Sequence, residues 1–472
     1  MRPHPSSLRT ARAAAALALV SAVAPLLPAV PAAAASYGTP TINASYGTPT
    51  IKLSAGYLSG AVGASGDPVV TATVAQSGAD ASDLTVAASK TSKSSVAGTG
   101  DVRVTGAGGT RTVAVTAHAQ GYTDLTLKVT GLGGKTATAT LHYAASPAVQ
   151  HSADARYLTG ASDASAAVDA GNGHLLVAND EDNTLRLYDG SASGAPVKSW
   201  DLGDALGADK EVDIEGGTRV GNTVYWTGSL GNNKDGEYKP DRNTVFTTTL
   251  SGSGAATSVT FGTAGHRLRD DLVAWDRANG DRYGFAAATA DGQTPKQVDG
   301  LNVEGLEFAP GSTTTAYLGF RAPLVPPQEG GRALLVPVTN LDQVARGTKA
   351  AFGAPVELDL GGLSVRDLRR DDQGRYLILA GSWAAEDNSA PYALYTWDGV
   401  PGHQPVKALD LPTADAGGWE SIVSVPDLSV PGGRVQLITD DGSADLYGDG
   451  TAAKDLSHPE WQKSRTTWFT LN

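Results

Sequence analysis

The chain has 472 residues, a net charge of −13 and no cysteine. That length can bury two or three cores without cross-links, and the missing cysteines exclude thiol catalysis, zinc–thiolate sites and iron–sulfur clusters. Three arginines precede residue 36, and residues 36–150 hold seven Lys/Arg against five Asp. This leaves −18 for residues 151–472, a surface that repels nucleic acid and anionic membranes.

Residues 1–35 read as a secretory signal peptide. Arg2, Arg9 and Arg12 form the basic start, Ala13 to Val30 the apolar stretch, and Ala32 to Ala35 a run of small residues before the cleavage point. The expected mature protein is secreted, extracellular and monomeric, with no membrane insertion, since no other window is apolar enough to span a bilayer. Residues 36–52 carry a tandem duplication, ASYGTPTIN followed by ASYGTPTIK. Its Gly, Pro, Ser and Thr content predicts an extended tether.

Residues 53–145 alternate apolar and polar side chains, as in Leu125, Leu127 and Val129 against Asp124, Thr126 and Lys128. Strict alternation predicts strands with one buried and one wet face. Turn clusters such as Gly106–Gly109 separate them. The stretch resembles the bacterial immunoglobulin-like modules attached to many exported proteins, which implies a small β-sandwich.

Composition breaks near residue 150. The first Glu of the chain is Glu181, and all eight Trp lie at or beyond Trp200. In residues 151–472 a short phrase recurs: Val212–Gly216, Arg269–Leu272, Asn302–Leu306, Val365–Leu368 and Gly418–Ile422, with a looser Ser162–Ser165. Each precedes a turn and then a strand pattern such as GNTVYWTGS (221–229). The spacing suits one four-stranded blade per phrase. It predicts an all-β, six-bladed β-propeller, with seven blades or a pair of stacked sandwiches as alternatives.

Equal register places the phrases at one end of the channel. Glu215, Asp270, Glu304, Arg366, Asp367 and Glu420 would start the first strands. Asp180, Ser229, Arg321, Ser382 and Asp440 would end the second strands. The catalytic candidates are thus Glu215, Glu304, Arg321, Arg366, Asp367 and Glu420. Convergent carboxylates suit calcium, held by Asp213, Glu215, Glu304 and Glu420, and the arginines suit a small anionic ligand. The same residues could instead lock blades together as Arg–carboxylate pairs. Acidic loops at 180–183, 371–374 and 440–442 read as hairpin turns before calcium loops. Asn232–Asn243 reads as a surface loop, or as a lid over the mouth. The seven downstream histidines lack metal-ligand spacing, and no Gly-x-Ser-x-Gly or His-Glu-x-x-His motif is present.

Asp213-Ile214-Glu215-Gly216, Asn302-Val303-Glu304-Gly305-Leu306 and Gly319-Phe320-Arg321-Ala322-Pro323-Leu324 resemble an uncharacterised bacterial family known as a domain of unknown function. The Glu-Gly-Leu phrase is also distantly similar to the propellers labelled "esterase-like activity of phytase". That second resemblance implies ester or phosphoester hydrolysis assisted by calcium. The alternative is a non-catalytic propeller that binds a ligand or a cell-surface component outside the cell.

Overall fold

The computed structural model describes residues 45–64, 67–150, 153–384 and 391–471. The leader reading, residues 1–35, and the first copy of the duplication lie outside the described residues.

Eight strands come first: β1 (Thr50–Leu53), β2 (Tyr57–Ala61), β3 (Val70–Ala75), β4 (Thr85–Thr91), β5 (Val102–Thr105), β6 (Thr110–Val115), β7 (Gly121–Thr130) and β8 (Thr136–Ser146). They form two four-stranded sheets, ordered β1-β3-β6-β5 and β2-β8-β7-β4. The inward residues of both, among them Val70, Val113, Leu125, Leu127 and Leu141, share one core. This is a β-sandwich, and the alternation read in β7 is its buried face. The second copy of the duplication differs from the expected tether. Gly47 donates to Ser77, and Thr50–Leu53 pairs with β3, because Ile51 and Leu53 reach the sandwich core.

The propeller opens with β9 (Arg156–Thr159). Four sheets follow in chain order. The first is β10 (Ala164–Gly171), β11 (His174–Asn179), β12 (Thr184–Asp189) and β13 (Lys198–Asp201). After a single helical turn, α1 (Gly203–Leu206), come β14 (Ile214–Val220), β15 (Thr223–Gly228), β16 (Val245–Ser251) and β17 (Ser258–Gly265). Two helices, α2 (Leu268–Ala278) and α3 (Phe285–Ala288), lead to β18 (Asn302–Phe308), β19 (Ala316–Ala322), β20 (Ala333–Val338), a turn α4 (Leu341–Val344) and β21 (Val356–Leu358). The fourth sheet is β22 (Ser364–Arg370), β23 (Tyr376–Gly381), β24 (Tyr392–Trp397) and β25 (Val406–Leu411). The fifth joins β26 (Gly418–Ser424), β27 (Arg434–Asp440) and β28 (Lys463–Thr470) to β9. Inner strands β10, β14, β18, β22 and β26 pack on one another in a closed circuit. The expectation of six or seven blades is therefore corrected to five sheets among the described residues.

The miscount has a local cause. Arg269–Leu272 is not an inner strand but part of α2. Leu268, Leu272 and Trp275 fall at helical spacing. The first two are buried and Trp275 is half-buried against the same core. Asp270 and Asp271 sit in the first turn, where the helix dipole favours anions. Asp270 is exposed on that helix and far in kind from a channel residue.

Blades hold together by apolar clusters that each span two neighbours. Leu176 and Leu187 of one blade pack with Ile214, Trp226 and Phe246 of the next. The ring closes through Leu158, Ala164, Val177, Val423 and Ile438. The last sheet borrows its outer strand from β9, with Lys463 opposite Thr159 and Thr466 opposite Arg156. Closure of this kind removes an exposed sheet edge.

Sandwich and propeller touch through the segment between β27 and β28. Leu446, Tyr447 and Leu456 bury against Ala144, flanked by Tyr122 and Trp461. Tyr57 stacks on His458 at 3.7 Å, and the Tyr122 hydroxyl donates to Asp449 at 3.0 Å. Lys463, only 1% exposed, donates to the Gly60 carbonyl of the sandwich and lies over the Tyr157 ring at 4.5 Å.

Candidate functional site

All five inner strands carry a β-bulge at their second or third residue. The pairing skips Ser165, Glu215, Glu304, Arg366 and Glu420 in β10, β14, β18, β22 and β26. A bulge re-aims one side chain out of the strand alternation. Five bulges at one register turn these five side chains toward each other at one end of the channel, here the upper mouth. The glycine after Glu215 and Glu304 has a packing reason. A Cβ on Gly216 would stand 3.0 Å from Leu306 Cβ, and one on Gly305 would stand 2.3 Å from Leu368 Cδ2. The next blade approaches too closely for any other residue.

Two arginines neutralise part of this ring. Arg321 Nη1 donates to Glu304 Oε1 at 2.9 Å, and Arg366 Nε pairs with Glu304 Oε2 at 3.0 Å. Arg366 also pairs with Glu420. Arg321 is fixed further by the carbonyls of Trp383 and Ala384, and Asn302 donates to Glu304 at 3.1 Å. Each of these charges is almost fully buried, so the pairs are needed to offset desolvation.

Glu215 is different. It is 8% exposed, and its carboxylate has no hydrogen bond or ion pair among the described residues. Burial, then the charges of Glu304, Asp213, Asp180 and Glu420, push its pKa well above the usual range. Its oxygens belong to two carboxylate groups. Glu215, Glu304 and Glu420 bring one oxygen each within 4.8 Å of one another, and so do Asp180, Asp213 and Glu215. In the second group, Asp180 has a buried Oδ1 with no hydrogen-bond partner, and burial followed by Asp163 and Asp213 raises its pKa well above normal. Asp213 sits at φ 58°, an uncommon backbone region for a residue with a side chain. It pairs with Arg242 Nη1 at 2.9 Å, and burial raises its pKa.

The sequence-derived residues separate as follows. Glu215, Glu304, Arg321, Arg366 and Glu420 come together. Asp213 and Asp180 join them through Glu215. The second-strand ends meet the same mouth: Asp180 N donates to Asp163 O and Ser229 N to Asp213 O. Asp367 does not join the ring and is corrected here. It follows the bulge at Arg366, so its side chain lies one layer further along the channel. There it accepts from Ser421 Oγ, Ile422 N, Leu368 N and Arg369 Nη1 at 2.7–2.9 Å. That is a blade-to-blade lock with its oxygens used, and burial pushes its pKa to about 6. Two of the acidic loops behave as turns: Asp371 caps Gln373 and Arg375, and Asp440 accepts from Gly442 N.

Arg242 and Lys296 are new to the site. Arg242 comes from the polar loop after Ser229, whose Asn232 is anchored to Ala290 and Gln293 of the helical insertion. Arg269 of α2 reinforces the joint through Leu230 O at 3.0 Å and Asn232 Oδ1 at 2.7 Å. The Lys296 charge, from the insertion, offsets part of the rise that burial causes at Asp180 and Asp213. The loop and the insertion thus form a braced wall beside the mouth. No local pattern announces them, because the contacts join segments about 60 residues apart.

No family model matches the chain, and no curated protein does. Among solved structures, glutaminyl cyclase from Myxococcus xanthus shares 14% identity over 67% of this chain and 97% of its own, at TM-score 0.33. A thermostable family-43 glycoside hydrolase shares 10% over 66% and 90%, at TM-score 0.34. Virginiamycin B lyase from Staphylococcus aureus shares 8% over 81% and 98%, at TM-score 0.24. At these values the likeness says nothing more about this chain, and the five-sheet ring rests on strand order alone.

Proposed function

We propose that the chain is an exported propeller whose upper mouth holds a hard divalent cation, calcium first, and presents it to a small anionic ligand. The observation that carries this is Glu215. Among the described residues of the ring, Arg321 and Arg366 pair with Glu304 and Glu420, and Glu215 has no such pairing. Beyond it, Asp213 pairs with Arg242, and Lys296 acts on Asp180 and Asp213 through its charge. A surplus of buried negative charge with orphaned oxygens fits an oxygen-seeking cation. The donor set is Asp180, Asp213 and Glu215, while Glu304 and Glu420 stand behind it as partners of the arginines. Calcium there would supply a fixed positive charge able to polarise an ester or phosphoester oxygen. The braced loop and Lys296 would orient an anionic group at the entrance.

A hydrolytic reading, calcium-assisted cleavage of an ester or phosphoester, is favoured by one further fact. Burial, followed by the charges of Glu304, Asp213, Asp180 and Glu420, makes the Glu215 carboxyl hold its proton more tightly than an ordinary carboxylate, and a carboxyl raised in this way can serve as general acid or base. In the alternative reading the propeller only binds its ligand, displayed by the sandwich as an immunoglobulin-like module. A screen of generic carboxylate and phosphate esters, with calcium and with EDTA, separates the two. Calcium-dependent turnover lost in Glu215→Gln supports hydrolysis. Calcium-dependent ligand binding without turnover supports the binding reading. Neither activity in any condition would sink both.

A further inference from the structure

The lower mouth of the channel is built from the last residues of the same five inner strands. It forms an open, polar depression of about 360 Å³ lined by Asp169, Thr218, Glu307, Arg369, Arg370 and Ser424, among others. That volume lies within the range of small-molecule sites, roughly 300–1,000 Å³.

Of the acids in the wall, Glu307 has both oxygens engaged. Glu307 accepts from Thr218 Oγ1 at 2.9 Å, from Phe308 N at 2.7 Å and from Arg370 N at 3.3 Å. Asp169 accepts from Gly171 N at 2.7 Å. Asp372 stands exposed at the edge. Two of the arginines are also occupied. Arg219 holds the carbonyls of Gly221 and Asp169, each at 2.7 Å. Arg369 reaches Asp367 Oδ1 and the carbonyls of Leu368 and Ala167 at 2.8–3.0 Å.

Arg370 is not occupied. Its guanidinium makes no hydrogen bond or ion pair among the described residues, and Glu307 acts on it only through space. The Nε atoms of Arg370 and Arg369 are both buried without an acceptor. An arginine without a partner at a polar depression calls for an acceptor-only group.

We propose that the lower mouth is a second binding site, for a ligand bearing one small oxyanion, a carboxylate or a phosphate, gripped by the fork of Arg370 with Arg369 behind it. A planar guanidinium matches such a group with two parallel hydrogen bonds. Asp372 at the edge opposes a polyanion, so a single charged group is the better fit. The site is independent of the upper mouth, from which the Asp367 layer separates it.

The test is calorimetric titration of the full chain, in EDTA, with inorganic phosphate and separately with acetate. The expected result is saturable one-to-one binding of at least one of them. Phosphate alone would point to a phosphorylated ligand and acetate to a carboxylate. Arg370→Gln should weaken it about tenfold, the effect of losing one charged hydrogen bond. Arg370→Lys keeps the charge and loses the fork, so it should fall between. Glu215→Gln should leave it unchanged. Near-UV circular dichroism confirms that each variant is folded. Absence of saturable binding in the wild type overturns the proposal. So does equal affinity in wild type, Arg370→Gln and Arg370→Lys.

Discussion

Glu215 and Glu304 occupy the same bulge in adjacent inner strands, yet their surroundings assign them opposite roles. Glu304 lies between Arg321 and Arg366, and removing its charge strands two buried guanidinium groups. Glu304→Gln should therefore lower stability by about 3–5 kcal/mol, as for other broken buried pairs, read as a drop in Tm with or without calcium. On Glu215 the strongest neighbouring charges are like ones, from Glu304, Asp213, Asp180 and Glu420, with Arg242 acting on it only through space. Glu215→Gln should keep or raise the Tm in EDTA, because it removes a carboxyl whose ionised form burial and the neighbouring acids disfavour, and should abolish any rise caused by calcium. A calcium response that survives Glu215→Gln would remove that residue from the site. The ring was legible in the sequence because Glu-Gly after an aliphatic residue recurs. The division of labour within it was not. Which carboxylate is neutralised depends on arginines 17 and 62 residues from Glu304, and nothing local encodes those pairings.

At the scale of elements, five of the six phrases read from the sequence are the five inner strands, including the loosest one, Ser162–Ser165. The sixth misled because Arg269-Asp270-Asp271-Leu272 has the composition of a strand start, but its apolar residues continue at Leu272 and Trp275 as a helix does. Leu272→Ala should therefore destabilise the wall between α2 and the next blade by about 2–5 kcal/mol, as for other buried leucines. A neutral effect in urea unfolding would mean that α2 is not packed as described. The bulges also lay below the reach of pattern reading, since one skipped pairing leaves the alternation on either side intact. The closing strand β28 ends in TTWFT, a run rich in β-branched and aromatic residues, and β9 gives it a partner at the sheet edge. Deleting residues 464–472 removes most of β28, strips β9 of its partner strand and leaves β27 with an open edge. A large fall in Tm, or loss of folded protein, is expected. An unchanged melt would place the closure elsewhere.

Across the whole molecule, buried carboxylates set the pH dependence. Burial pushes the pKa of Asp67 to about 6, of Asp367 to about 6 and of Asp441 to about 7, and raises those of Asp180, Asp213, Glu215 and Glu307 as well. A carboxyl group that holds its proton more tightly when folded contributes stability below its unfolded pKa. That stability is lost as pH rises through the folded value. In EDTA the Tm should thus fall between about pH 4 and pH 7. Exposed turn carboxylates such as Asp80 and Asp427 shift the other way, but solvent screens them. Burial lowers the pKa of Lys463 at the sandwich–propeller contact to about 8. Its contribution has the same form with the opposite outcome, and stability should recover as pH rises from about 8 towards 10. Asp441→Asn should flatten the acid-side fall; a Tm that rises steadily from pH 4 to 7 in EDTA would contradict this. Calcium should blunt it too, since a cation at Asp180, Asp213 and Glu215 favours their charged forms. The most direct test is calorimetric titration of calcium into the EDTA-treated full chain at pH 7. Saturable binding to the wild type is expected, with none in Glu215→Gln. No binding to the wild type, or equal binding in Glu215→Gln, would contradict a cation seat at the upper mouth.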